Sequence, residues 1–146
     1  MLTKVDTKCF PLILTSLLSL TTFRPLKALE LYNKNSNCTL YTTHKNNGLL
    51  GVKISGIYCE ILHIAVLPSF QEKGIASLMI QQVLTLNPSI ELIIAETDLE
   101  AVKFYEKFGF HSIKIPSKYP DTTRFFCMYN VKKPLSYTKT ADYFLD

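Results

Sequence analysis

Ile61-Leu62-His63-Ile64-Ala65-Val66-Leu67-Pro68-Ser69-Phe70-Gln71-Glu72-Lys73-Gly74-Ile75-Ala76-Ser77-Leu78-Met79-Ile80 is the stretch in which this 146-residue chain changes its period. Up to Leu67 the residues read as the end of a strand that begins at Tyr58. Pro68 stops that run, because it has no N–H to give to a ladder. From Ile75 the apolar residues Ile75, Leu78, Met79, Val83 and Leu86 recur at helical spacing, and Asn87-Pro88 closes the helix. Between the two lie Gln71, Glu72, Lys73 and Gly74. A strand running through a glycine-containing loop into a helix is a recurrent anion site. The first helical N–H groups have no internal partner, and the helix dipole favours negative charge there. Gly74 lets a ligand come close to the backbone, and Ala76 is small enough to do the same. Lys73 opposes the dipole but suits a phosphate. A glycine in an ordinary strand-to-helix turn would share this pattern, so the surroundings must decide.

Outward from that stretch, the pattern predicts a strand at 2–6 and helices at 8–20 and 26–32. The first helix has Thr7 as N-cap, with Pro11 in its first turn. Strands follow at 38–43, 49–55 and 58–67, with an Asn-Gly turn signal at Asn47-Gly48. Residues 90–95 read as a buried strand. Thr97-Asp98-Leu99-Glu100 has the form of a capping box, with Thr97 as N-cap. The helix after it runs to Phe108, with Gly109 as its left-handed stop. Strands at 110–115 and 124–131 complete the order, and the tail from Lys132 is expected to be loosely held. The order indicates an α/β sandwich on a mixed sheet, with a right-handed crossover from 58 to 95.

Bulk properties bound the function. The length suggests one domain, 1–146, and 47% hydrophobic against 19% charged residues suits a compact core. The net charge of +4 is spread along the chain, which argues against a nucleic-acid partner and leaves room for an anionic ligand. Cys9, Cys38, Cys59 and Cys127 form no CxxC pattern and read as small apolar fillers in a reducing compartment, the cytoplasm. The three histidines are isolated, so no metal is expected. The apolar run 10–20 follows Lys4 and Lys8 as a signal peptide's core would. It is too short to span a bilayer and lacks a small-residue cleavage site, so it reads as a buried helix and no membrane partner is expected.

Residues 61–68, the loop, and Ala76-Ser77-Leu78-Met79-Ile80 closely resemble motif A of the GNAT (GCN5-related N-acetyltransferase) superfamily. Ala95-Glu96-Thr97-Asp98 and Ala101-Val102-Lys103-Phe104-Tyr105-Glu106-Lys107-Phe108-Gly109-Phe110 resemble its motif B. The resemblance covers about residues 58–110, and it implies a three-layer α/β/α sandwich on a mixed, centrally splayed sheet. It implies acetyl-CoA as co-substrate, its pantetheine arm paired with the backbone of Ile64, Ala65 and Val66. The amides of Gln71, Glu72, Lys73, Gly74, Ile75 and Ala76 would hold the pyrophosphate. The family often has Asn at the start of motif B, contacting the cofactor; here Asp98 stands there, and its negative charge near phosphates is unfavourable.

An acetyl acceptor amine has a pKa of about 10.4, so presenting the neutral nucleophile at pH 7 costs roughly 4–5 kcal/mol. A base is therefore needed, and the departing thiolate gains from a proton donor. The resemblance places Tyr105 at the family's general-acid tyrosine, although a core tyrosine on an amphipathic helix would look alike. Glu60, eleven positions before Gln71, matches the spacing of a general-base glutamate in histone-type members; a solvated strand end is the plain alternative. Glu96 is a weaker candidate. His63 points to the face opposite Glu60 and reads as a packed or surface histidine. Tyr58, Tyr119, Asp121 and Arg124 are expected to flank the cleft. The expected protein is a cytoplasmic monomer or homodimer that acetylates a primary amine in a ternary complex, the acceptor a small molecule rather than a protein. The alternative is a non-catalytic acyl-CoA-binding regulatory module.

Overall fold

The computed structural model describes residues 1–131, and the expectation for the tail from Lys132 lies outside them. The fold is α/β, an open seven-stranded sheet with flanking helices and the strand order β1-β2-β3-β4-β5-β7-β6. By their contacts the residues form two compact units: Met1–Ser55 with Glu60–Pro88, and Gly56–Cys59 with the chain from Ser89 onward.

The first unit holds β1 (Leu2–Lys4), β2 (Cys38–Thr43), β3 (Gly48–Ser55) and most of β4 (Tyr58–Val66). β1 and β2 are antiparallel with Leu2 opposite Thr43, and β2 pairs antiparallel with β3 with Cys38 opposite Lys53. The β2–β3 turn is organised by one hydroxyl. Thr43 Oγ1 accepts from the N–H groups of Asn47 and Gly48 and donates to Asn47 Oδ1 at 2.6 Å. Asn46 supplies the positive φ of 56° that the turn needs.

The single helix expected at 8–20 is broken into two short 3-10 turns, Thr7–Cys9 and Leu12–Leu14, and helix α1 (Thr15–Ser19). Pro11 is the cause. It forces the preceding Phe10 into an extended conformation, ψ 123°, so the helix cannot pass through it. The N-cap is Asp6 rather than Thr7, with its carboxylate accepting from the Lys8 N–H at 3.0 Å. Helix α2 (Pro25–Lys34) begins with Pro25 in the first turn, where its missing N–H is harmless. Leu14, Leu17 and Leu18 are fully buried against Leu40, Leu49, Ala65 and Tyr32. Each such side chain contributes roughly 1.5–3 kcal/mol of burial.

Helix α3 (Ile75–Leu86) follows the loop at the end of β4 and buries Met79, Ile80 and Val83. Leu78 and Leu86, expected on the buried face, are exposed, and Ile80 takes the inward position. The helix sits so close to β3 that a Cβ at Gly48 would come 2.9 Å from Met79 Sδ and 3.1 Å from Ile75 Cγ2.

The second unit holds β5 (Leu92–Asp98), helix α4 (Val102–Phe108), β6 (His111–Ile115) and β7 (Arg124–Asn130). β5 pairs antiparallel with β7 along its whole length, from Leu92 opposite Asn130 to Asp98 opposite Arg124. That ladder overrides the expected capping box: Thr97 is a buried strand residue, and Asp98 does the capping work by accepting from the Ala101 N–H at 2.9 Å. Helix α4 ends as expected at Gly109, φ 125°. The Gly109 N–H bonds to the Glu106 carbonyl and the Phe110 N–H to the Tyr105 carbonyl, the pairing of a Schellman stop. Cys38, Cys59 and Cys127 are buried, as fillers should be, but Cys9 is exposed. Among the described residues, no helix is long and apolar enough to cross a membrane.

Candidate active site

The loop between β4 and α3 is built around backbone rather than side chains. Pro68–Phe70 form a 3-10 turn, with the Phe70 N–H bonded to the Leu67 carbonyl at 2.8 Å. Gln71 then reaches back, and its Nε2 donates to the Val66 carbonyl at 3.0 Å. That bond ties the loop to the end of the strand. Glu72 adopts φ 63° and Gly74 φ 80°, ψ 9°, so two left-handed residues fold the loop over the helix start. Lys73 lies with its ammonium 5.7 Å from the centroid of the Phe70 ring.

Gly74 is the N-cap of α3 and offers no capping side chain. The first helical bond of α3 runs from the Leu78 N–H to the Gly74 carbonyl, so the amides of Ile75, Ala76 and Ser77 precede it and have no helical partner. A Cβ at Gly74 would meet nothing within 4 Å. The glycine is therefore demanded by its conformation, and the space before the amides is open. Unpaired N–H groups, the dipole of a 12-residue helix and an open approach together fit a diphosphate.

The other predicted residues fall in two places. Ile64, Ala65 and Val66 are the last residues of β4, with Ala65 buried and its neighbours half-buried. Glu60 is half-buried near the start of the same strand. All of these, with the loop, belong to the first unit. Tyr105 and Asp98 belong to the second. Tyr105 is 3% exposed and sits edge-on to Phe104 and Phe110, with ring centroids 5.2 and 5.1 Å away. Burial, and then the neighbouring Cys127 and Asp98, push its phenol well above the ordinary value, so it stays protonated. Among the described residues, no group hydrogen-bonds its hydroxyl, and no fully buried side-chain oxygen lacks a partner. Asp98 uses one carboxylate oxygen on the Ala101 amide. Glu96, Tyr58, Tyr119 and Asp121 are exposed and Arg124 is half-buried. Among the described residues, no group of three His, Cys, Asp or Glu could hold a metal ion.

His63 is half-buried and packs against the Tyr32 ring, with centroids 5.6 Å apart. Its Nδ1 lies 2.6 Å from the Tyr32 hydroxyl of α2. Burial holds its pKa below the ordinary histidine value. Sequence spacing does not connect positions 32 and 63. The one available signal is Gly51, a glycine inside a strand, which marks a close approach by something large.

An α/β fold whose strand–loop–helix unit presents free amides defines a class of anion-binding proteins. The comparisons give the family. A model described as the acetyltransferase (GNAT) domain matches residues 36–112, more than half of the chain, and the chain belongs to that family. No curated protein matches it. Among solved structures, it is similar to a GNAT family acetyltransferase from Elizabethkingia anophelis with acetyl-CoA bound (TM-score 0.67, 18% identity, covering 90% of this chain and 97% of that one). An aminoglycoside 6′-N-acetyltransferase complexed with coenzyme A gives a TM-score of 0.72 at 15% identity, covering 89% and 96%. Ard1 from Thermoplasma volcanium gives 0.70 at 22% identity, covering 90% and 97%. At these identities the likeness is one of fold.

Proposed function

We propose that this single-domain protein moves an acetyl group from acetyl-CoA to a primary amine, by direct attack in a ternary complex in the cytoplasm. The observation that carries the reading is the left-handed Gly74 followed by the unpaired amides that open α3. In this reading the amides from Gln71 to Ala76 hold the diphosphate, and the backbone of Ile64, Ala65 and Val66 pairs with the pantetheine arm. Glu60 takes a proton from the incoming ammonium, directly or through water. The nitrogen lone pair attacks the thioester carbonyl, the C–S bond breaks, and Tyr105 gives its proton to the leaving sulfur; the acylated nitrogen then releases its surplus proton, which restores the phenol, and Glu60 returns its own proton to solvent. A phenol kept protonated by burial suits that last role.

The test is calorimetric binding of acetyl-CoA followed by thiol release over a panel of amines. Turnover that Tyr105→Phe and Glu60→Gln both depress supports the reading. Binding without turnover, with both variants silent, would instead indicate a non-catalytic acyl-CoA-binding module. Absence of binding would refute both.

A further inference from the structure

Gly51 lies in the middle of β3, opposite Leu40 of β2. A Cβ there would stand 1.7 Å from the hydroxyl of Tyr32 and 2.6 Å from its Cζ. The missing side chain is thus the seat of the Tyr32 ring, which is 6% exposed and delivers its hydroxyl to His63 Nδ1. Among the described residues that hydroxyl has no second partner, and burial keeps it protonated. A buried O–H needs an acceptor, and among the described residues Nδ1 is the one within reach. The phenol therefore donates to Nδ1, and the neutral imidazole carries its own proton on Nε2. Tyr32 turns His63 into a hydrogen-bond donor.

His63 lines an open hollow of about 530 Å³ together with residues of α2 and the segment before it. Arg24, Lys27 and Lys34 stand around it, with Glu30 as the acid among them. Glu30 lies 3.8 Å from Lys34, which leaves Arg24 and Lys27 without an ion pair among the described residues. Thr22 Oγ1 accepts from the Arg24 N–H at 3.1 Å and fixes the chain there. The hollow therefore offers two uncompensated cations and one neutral donor. It repels a polycation and suits an anion. Its position on β4 matters as well. His63 directly precedes Ile64, so the hollow borders the strand assigned above to the acetyl arm, within one unit.

We infer that this hollow receives a carboxylate carried by the acceptor, which makes the acceptor an amino-acid-like amine rather than a polyamine. This rests on the acetyltransferase reading given above. Arg24 and Lys27 are the specificity-determining cations, and His63, positioned by Tyr32, is a donor to the same group.

The experiment uses the full chain. A panel of α- and ω-amino acids, each against its own amide, and spermidine are compared by thiol release. The expected result is at least one acid with KM about tenfold below that of its amide. Arg24→Gln with Lys27→Gln, both exposed positions, should raise that KM about tenfold while leaving kcat and the Kd for acetyl-CoA within twofold. Acids and amides used alike, spermidine preferred, or a double variant with an unchanged KM each overturns the inference. A second measurement needs no turnover. The His63 ring resonances are titrated with N-acetylglycine and with N-acetylglycinamide. A saturable shift and a raised His63 pKa with the acid alone are expected; an equal response, or none, overturns the inference. Loss of acetyl-CoA binding would sink the acetyltransferase reading, and this titration would still judge the hollow.

Discussion

Tyr105 combines a buried ring with a hydroxyl that no group among the described residues holds. Tyr105→Phe therefore removes a proton donor without removing an internal bond. We expect kcat to fall by about 10²–10⁴-fold. The urea midpoint should stay within about 0.5 kcal/mol of the parent, as for a change that loses no packing. A variant that lost both activity and stability would make Tyr105 a core residue only. Asp98 gives the opposite pattern. Asp98→Ala takes away the acceptor for the Ala101 amide and should cost about 1 kcal/mol of stability, read by denaturant unfolding. Tyr105 was legible because it lies within a contiguous ten-residue stretch. The Tyr32–His63 bond was not, since it joins residues 31 apart through a space that only a glycine in a third element creates.

Among the elements, the loop of Gly74 joins fold and function most directly. Gly74→Ala puts a side chain on a backbone of φ 80°, which costs roughly 1–2 kcal/mol even though the space is open. If the amides hold the diphosphate, the loss in acetyl-CoA affinity should exceed that loss in stability, because the loop will relax away from its binding shape. Calorimetry and unfolding on the same variant check this. The β4–loop–α3 unit was readable because strand period, proline, glycine and helix period follow one another without interruption. Three local readings failed for identifiable reasons. Pro11 breaks the first helix by restricting Phe10. The capping box at Thr97 loses to a complete β5–β7 ladder. On α3 the apolar positions outnumber the inward ones, so periodicity could not tell Ile80 from Leu78.

For the whole molecule, the buried titratable groups set the pH range of stability. His63 has its pKa lowered by burial, so its contribution is full above about pH 6.5 and is lost as pH falls through the folded value. Tyr32 and Tyr105 have theirs raised, chiefly by burial, so their contribution is full below about pH 10 and is lost above it. The urea midpoint should be nearly flat from about pH 7 to 9, and His63→Gln should reduce the fall on the acid side. An unchanged acid slope would mean that His63 is solvated. The α/β class and the succession of the seven strands along the chain were legible, because most strands are bounded by Pro, Gly or Asn and differ in period from the helices. Which side chains converge across elements was not legible, and the basic hollow is the clearest case. The seat at Gly51 also constrains sequence change. A methyl at position 51 and the phenol at position 32 exclude each other, so Gly51→Ala should be harmful with Tyr32 and milder once Tyr32 is shortened to Leu. The second change releases His63 from its fixed tautomer. Positions 32, 51 and 63 should therefore covary among descendants of this chain, and a pairwise mutational scan should find sign epistasis among these three before any other triplet in the first unit.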